Sequence, residues 1–361
     1  MTPPNPANPL LAPTSTAEST STIAAVAQLR RRRSARWTGF VLIFSGLVLL
    51  TFLLSLMVGQ TFYSFDKVLR VIGGDQVPGA TFTVGRLRLP RAVLALLVGL
   101  SFGLGGVTFQ TMLRNPLASP DIIGISSGAS AAAVFAIVTL GLGSTGVSVM
   151  AIVAGLAVAL VIYMLSYRNG AAGIRLILVG IGVSSMLNAL INWELTRAAQ
   201  WDLQEALRWL AGSLNGASWD KVVPLLCALI VLVPILLGQS RNLSITQLGD
   251  ETAEALGVRV SRTRLLVIVA AVGLISFATA AAGPVAFVAF LSGPIASRLI
   301  GPGPSPLIPA ALVGALLVLV ADLVGQFGLG TRYPVGVVTG ILGAPYLIYL
   351  IIRINRSGGS L

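Results

Sequence analysis

The sequence predicts an all-α, polytopic membrane protein of about ten transmembrane helices with both termini cytoplasmic. Three observations predict it. Charge is confined to short islands: 29 uncharged residues separate Arg36 from Asp66, and further charge-free windows run over 92–113, 122–167, 176–193, 222–240, 265–297, 299–321 and 333–352. A helix needs about 20 predominantly apolar residues to cross a hydrocarbon core, and these windows supply that length repeatedly. Composition agrees, with 55% of residues hydrophobic, 10% charged and a mean hydropathy of +0.90. Such values suit a bundle in lipid and not a soluble domain of this length. The third observation is the distribution of basic residues, which favours an even number of spans.

Residues 1–36 read as a disordered, basic cytoplasmic tail. Its first 29 residues are rich in Pro, Thr, Ala and Ser and lack aromatics, a composition unable to bury enough apolar surface to fold. Arg30–Arg33 and Arg36 directly precede the first span. A basic cluster there anchors the cytoplasmic side and attracts anionic membrane lipids. A cleaved leader is disfavoured, because the apolar run after the arginines is too long and lacks a small-residue cleavage site.

A ten-helix membrane domain follows over 37–355. Its spans fall at about 37–59, 91–110, 123–141, 147–166, 175–193, 221–238, 264–282, 285–298, 307–325 and 334–353. Window 122–167 holds two helices around a turn at Gly141–Gly146, and window 265–297 is interrupted at Gly283-Pro284, which makes its second helix short. With the N-terminus inside, ten crossings leave 15 of the 24 basic residues inside and 9 outside, beside six outer acids: Asp66, Asp75, Glu194, Asp202, Glu205 and Asp220. Nine crossings would expel Arg353 and Arg356, against the positive-inside rule. The longest inner segment is 239–264. Its LGDETAEALGVRV string reads as a short helix capped by Asp250, with Glu251 at the positive end of the dipole and Gly257 as terminator. So short a helix is marginal alone; it must rest on the membrane domain or on a partner.

Several chemistries are excluded. Histidine is absent and Cys227 is the only cysteine, which rules out internal disulfides and disfavours metal sites and Cys/His catalysis. Cys227 lies in an apolar window and reads as a small buried residue. No span carries a charge at its middle; Asp322 and Glu194 sit near outer ends and Asp121 in an inner loop. Ion-coupled carriers use an intramembrane carboxylate or a broken-helix ion site, so secondary transport is the weaker reading. Neither lysine, Lys67 or Lys221, follows a Gly-rich phosphate loop, so any ATP is bound by another chain. Ser126-Ser127-Gly128 and Ala211-Gly212-Ser213 lack a base and read as packing and capping elements. The net charge of +12 sits in membrane-flanking islands and does not indicate nucleic acid.

Strings along most of the chain carry a resemblance. They are RLRLPRAVLALLVGLSFGLGGVTFQTMLRNPLASPDIIGISSGAS (86–130), RWLAGSLNGASW (208–219), LGDETAEALGVRVSRTRLL (248–266), AGPVAFVAFLSGPIASRLIG, and YPVGVVTGILGAPYLIYLIIR (333–353). Over about 40–355 the chain resembles the FecCD family, permease subunits of ATP-driven importers for iron–siderophore complexes and vitamin B12. The 167–187 segment and the GSLNG string are most similar to permeases for ferric catecholates of the enterobactin type. Cobalamin or haem is the alternative cargo. The resemblance implies two cytoplasmic ATPase subunits, an external binding protein, a bacterial inner membrane and a second permease subunit, a heterodimer being favoured over a homodimer. No cofactor is bound directly; ATP sits on the partner.

The resemblance also implies site residues. Arg88 and Arg91 match basic residues that meet acidic side chains of the binding protein. A third family arginine is Gln326 here, with Arg332 nearby as a substitute. Leu248, Gly249, Ala253, Leu256, Gly257 and Val258 match the coupling segment that docks in a groove of the ATPase. Gly173 and Ile174 match an inner gate, and Asn188 and Asn192 are path-lining candidates. The family's Pro-His pair is replaced by Gly293-Pro294, so no role resting on that histidine transfers.

Overall fold

The structure, a computed structural model, describes residues 16–120, 124–166, 173–303 and 305–356. Among these the regular secondary structure is entirely helical. The order is α1 (Thr16–Met57), α2 (Phe65–Ile72), a π-helical stretch at Thr81–Arg88, α3 (Leu89–Met112), α4 (Ile125–Val138), α5 (Ser144–Ser166), α6 (Gly173–Arg197) and α7 (Gln200–Leu210). Then come α8 (Trp219–Gly238), α9 (Ser240–Thr246), α10 (Asp250–Ala255), α11 (Val260–Ala282), α12 (Val288–Ile300), α13 (Leu307–Leu323), a π-helical turn at Val324–Gly328, and α14 (Val335–Arg356). Without water, backbone groups in lipid must pair within their own segment, which makes helix the default for every charge-free window.

Among the described residues, eight helices are long and apolar enough to cross a membrane, and α4 and α12 are shorter apolar helices of 14 and 13 residues. The ten predicted segments are all present, but these two reach only about 20 Å each at 1.5 Å per residue. The α11–α12 break follows from local chemistry. Gly283 takes φ +73° and Phe287 φ +63°, while Pro284 cannot continue the ladder.

Two expectations are corrected. The segment assigned to a disordered tail is helical from Thr16 onward, as an extension of the first span. Adding residues to an existing helix avoids the nucleation cost that an isolated tail would meet. Cys227 is exposed on α8 and not buried. Among the described residues none covers that side of α8, and a small apolar residue tolerates such a position.

α3, α11 and α13 form the buried centre; α1, α5, α6, α8 and α14 leave most of their surfaces uncovered. The centre is a backbone-to-backbone seam. A Cβ on Gly99 of α3 would stand 2.5 Å from Ala315 Cα of α13, and one on Gly103 would stand 3.0 Å from Ala311 Cα. Close approach through small residues is the main route to helix association where lipid is as apolar as the side chains.

The packing sorts the helix ends into two groups. At one end, Arg88 of the π-helical stretch donates to the α1 carbonyls of Leu56 and Met57 at 2.9 Å and to Thr61 O at 2.7 Å, satisfying acceptors that a helix C-terminus leaves open. At the other, Arg36 Nε donates to Leu299 O at 2.9 Å and Trp37 Nε1 to Ser305 O at 3.1 Å. The second end also gathers Arg114, α9, α10, and the basic residues Arg298 and Arg353 that follow the same helices down.

Candidate functional site

A chamber of about 650 Å³ opens within the bundle, in the size range of ligand cavities. Ser126, Ser127 and Ser130 of α4 and Asn188 of α6 form its polar strip, joined by Ser119 from the loop after α3. The apolar wall comes from Leu117, Ile191 of α6, Leu210 of α7, the broken segment Pro284–Phe287, Phe290 of α12 and Leu347 of α14. Among the described residues, no charged side chain lines it.

Local chemistry explains this wall. Gly124 enters α4 at φ +89°, and a Cβ there would stand 2.8 Å from Ser184 Oγ of α6. The Gly-Ile-Ser-Ser-Gly string therefore lets α4 lie against α5 and α6 with its serines toward the space. Across it, the α7–α8 loop ties the end of α11 to the start of α14. Ser213 N–H donates to Ala282 O at 2.7 Å, and Gly336 N–H of α14 donates to Gly212 O at 3.0 Å. Phe287 and Phe290 meet edge to face at 6.4 Å between centroids. Pro294 removes the N–H that Phe290 O would have accepted in α12. Gln110 Nε2 of α3 supplies the replacement at 3.0 Å, fully buried.

At the Arg88 end lies a polar cluster. Asp322 of α13 is 4% exposed. Arg91 grips it in a two-pronged pair, Nη2 to Oδ1 at 2.8 Å and Nε to Oδ2 at 3.0 Å. Gln326 Nε2 donates to Asp322 Oδ2 at 2.7 Å, and Arg91 Nη1 donates to Asn215 Oδ1 at 2.8 Å. Arg88 and Arg91 are thus engaged within the chain, whereas Arg332 is exposed. The same end holds Glu194, which accepts from Thr139 Oγ1 at 2.7 Å and keeps its second oxygen buried and unpartnered.

At the opposite end α9 and α10 form an elbow. Gly249 and Gly257 bracket α10 at φ +116° and +84°, the conformation glycine adopts without strain. The elbow's predicted residues divide. Ala253 and Val258 pack inward with Val260, while Leu248 and Leu256 are 66% and 60% exposed. Gly257 ends α10 as expected, with Val258 N–H reaching Ala253 O at 2.9 Å. Asp250 does not cap: the N-cap is Gly249 with no side-chain bond. Its carboxylate instead accepts from Arg114 Nη2 at 2.6 Å and Arg264 Nη2 at 3.0 Å.

Of the other expected path residues, Asn188 lines the chamber, while Asn192 is exposed on α6 and stands outside it. Gly173 and Ile174 begin α6, and their side chains lie outside the described residues, as do Asp121 and Arg168. The reading of the residues missed the serine strip, Phe287 and Phe290. The interrupted SSGAS and GPVAF strings were the available signal, since neither fits an unbroken lipid-facing helix.

A helical bundle with broken segments, an uncharged internal chamber and an apolar elbow exposed at one end defines a membrane-spanning transport subunit. The chain belongs to the FecCD transport family, whose pattern matches residues 47–353. It is 39% identical over 81% of its length to the ferric enterobactin transport system permease protein FepG of Escherichia coli (strain K12), covering 88% of that protein. It is 40% identical over 85% of its length to the achromobactin transport system permease protein CbrC of Dickeya dadantii (strain 3937), covering 89% of it. An inward-facing metal-chelate type ABC transporter superposes with a TM-score of 0.79 at 27% identity, covering 88% of this chain and 99% of that one. The protein is accordingly a multi-pass permease subunit of an ABC importer of the iron–siderophore or vitamin B12 class, a membrane component and not the catalytic one.

Proposed function

We propose that this permease forms half of a pathway for ferric siderophore complexes of the catecholate, enterobactin-like type, in a bacterial inner membrane. The observation that carries the reading is the uncharged chamber: serines, an asparagine and apolar side chains enclose about 650 Å³. A cargo already wrapped in its chelator needs no ligating groups and slides best past weak contacts. The FepG likeness supports the catecholate assignment. The large uncovered surfaces of α6 and α14 suit a second permease subunit, and the family context favours a homologous partner over an identical copy. The chamber would be completed between the two.

The end bearing Arg88, Arg91 and Arg332 is the docking face for an external binding protein. Exposed Arg332 offers a charge for steering, and Arg88 and Arg91 shape the face from within. At the other end Leu248 and Leu256 offer the apolar ridge of a helix-in-groove contact for an ATPase subunit. Energy from ATP then tilts the paired subunits between outward and inward openings.

The test is uptake of labelled ferric enterobactin, ferric achromobactin and cyanocobalamin in a strain lacking the gene. Loss of ferric enterobactin uptake, restored by the gene, is expected. Loss confined to cyanocobalamin would move the protein to the vitamin B12 side of the family. L248E with L256E, both at exposed positions of the elbow, is expected to remain in the membrane yet lose copurifying ATPase.

A further inference from the structure

The end of α3 adopts a conformation that its sequence should avoid. α3 closes with Asn115 N–H on Gln110 O at 3.1 Å and Arg114 N–H on Thr111 O at 3.3 Å. That is the helix-ending pattern in which glycine ordinarily takes the left-handed position. Here Arg114 takes it, at φ +52°. An L side chain in that region is strained, and strain of this kind persists only where surrounding contacts enforce it. The contacts are specific. Arg114 Nη2 donates to Thr246 O at 2.5 Å and to Asp250 Oδ1 at 2.6 Å, and the second carboxylate oxygen of Asp250 takes Arg264 at 3.0 Å. One carboxylate thereby joins the elbow to two central helices, α3 and α11.

What lies beyond Arg114 gives the join a consequence. Gln110, one turn back along α3, holds the carbonyl of Phe290 in the chamber wall. Leu117 and Ser119, three and five residues forward, are themselves chamber wall. The loop between is stiffened by Asn115 Oδ1, which accepts from Leu117 N–H at 2.8 Å. A displacement of the elbow thus reaches both sides of the chamber lining through contiguous bonded groups.

We propose that Asp250 is a positioning residue that clamps the ATPase-facing elbow to α3 and α11, and that Arg114 converts movement of the elbow into movement of the chamber wall. The proposal rests on the importer reading and adds to it the residues that carry the stroke. The elbow's docking ridge is made by Leu248 and Leu256, whereas the clamp is made by the side chains of Arg114, Asp250 and Arg264. Docking and transmission are therefore separable.

The experiment uses the complete transporter in lipid nanodiscs on a C227S background, with spin labels at P116C and R353C. ATP-dependent change in the label distance is read together with copurified ATPase and thermal stability. D250N is expected to keep its ATPase and its hydrolysis but to lose the ATP-dependent distance change, and D250E is expected to restore it. R114G gives the sharpest contrast: glycine is at ease at φ +52°, so stability is kept or rises, while the distance change is lost. Uptake per ATP hydrolysed should fall on the order of tenfold in both D250N and R114G, within the usual span of inter-site coupling. Preservation of the full distance change in D250N or R114G overturns the clamp, as does loss of ATPase from either variant, which would make the cluster part of the docking surface. If the unsubstituted chain retains no ATPase, the importer reading itself falls, and the clamp with it.

Discussion

Arg91 can be a docking residue for a partner or a structural ion pair, and the two roles predict opposite behaviour of the isolated permease. The perturbation is R91Q, with D322N and the double variant completing a cycle. Asp322 is the member that cannot tolerate isolation. Its side chain is 5% exposed, against 20% for Arg91. Removing one partner of a buried ion pair costs about 3–5 kcal/mol, because the remaining charge is left uncompensated. Gln326 still donates to Asp322 at 2.7 Å in R91Q, and a hydrogen bond to a charged group contributes about 1.5–3 kcal/mol. The cost should therefore lie near the lower bound, about 3 kcal/mol. D322N costs less, since Arg91 retains Asn215 and some access to water. The double variant leaves no buried charge and should fall short of the sum of the single effects by about 1–3 kcal/mol, as contacting residues do. Thermal unfolding of the purified permease in detergent at one fixed scan rate is the assay. On the order of 2 °C per kcal/mol is expected for a chain longer than 250 residues, giving an R91Q shift of about 6 °C. An unchanged unfolding temperature in R91Q, with weakened association of the external binding protein, would refute the structural role and make docking the function of Arg91.

Three further outcomes are expected. Q110L removes the donor that replaces the missing N–H of Pro294, leaving Phe290 O buried and unpaired; stability should drop by about 1–3 kcal/mol in the same unfolding assay. S127F places an aromatic ring in the chamber from a half-buried position of α4; membrane levels and ATPase copurification should hold while ferric-siderophore uptake falls about tenfold, equivalent to about 1.4 kcal/mol on the transport barrier. G103L forces a side chain into the α3–α13 seam, where even a Cβ would stand 3.0 Å from Ala311 Cα; overpacking costs roughly 1–3 kcal/mol or more, and immunoblotting of membranes should show reduced steady-state protein.

Much of the fold was legible in the residues because lipid leaves the backbone few options. Charge-free windows became helices, the Gly283-Pro284 interruption became a break, and Gly257 ended its helix, each through chemistry contained within a few positions. The candidate site was legible only in outline. Asn188 lines the chamber and the LGDETAEALGV string folds as a short helical elbow, but the serine strip opposite Phe287 and Phe290 was not legible, since the chamber walls come from positions as far apart as Leu117 and Leu347. Asp250 carried a plausible local role, helix capping, that a stronger distant partner displaced: two guanidiniums hold its carboxylate.

The amino-acid sequence by itself determined the solvent and the helices, because those depend on hydropathy and charge summed over about 20 consecutive residues. Tertiary structure alone decided which arginines hold the bundle together and which face outward. Arg91 and Asp322 are 231 positions apart, and Arg114 and Asp250 are 136 apart. The first pair meets because the glycine seam lets α3 pack closely against α13, the second because the elbow folds back onto the end of α3, and the register of such packing is set by side-chain shape across helices, which no local pattern records.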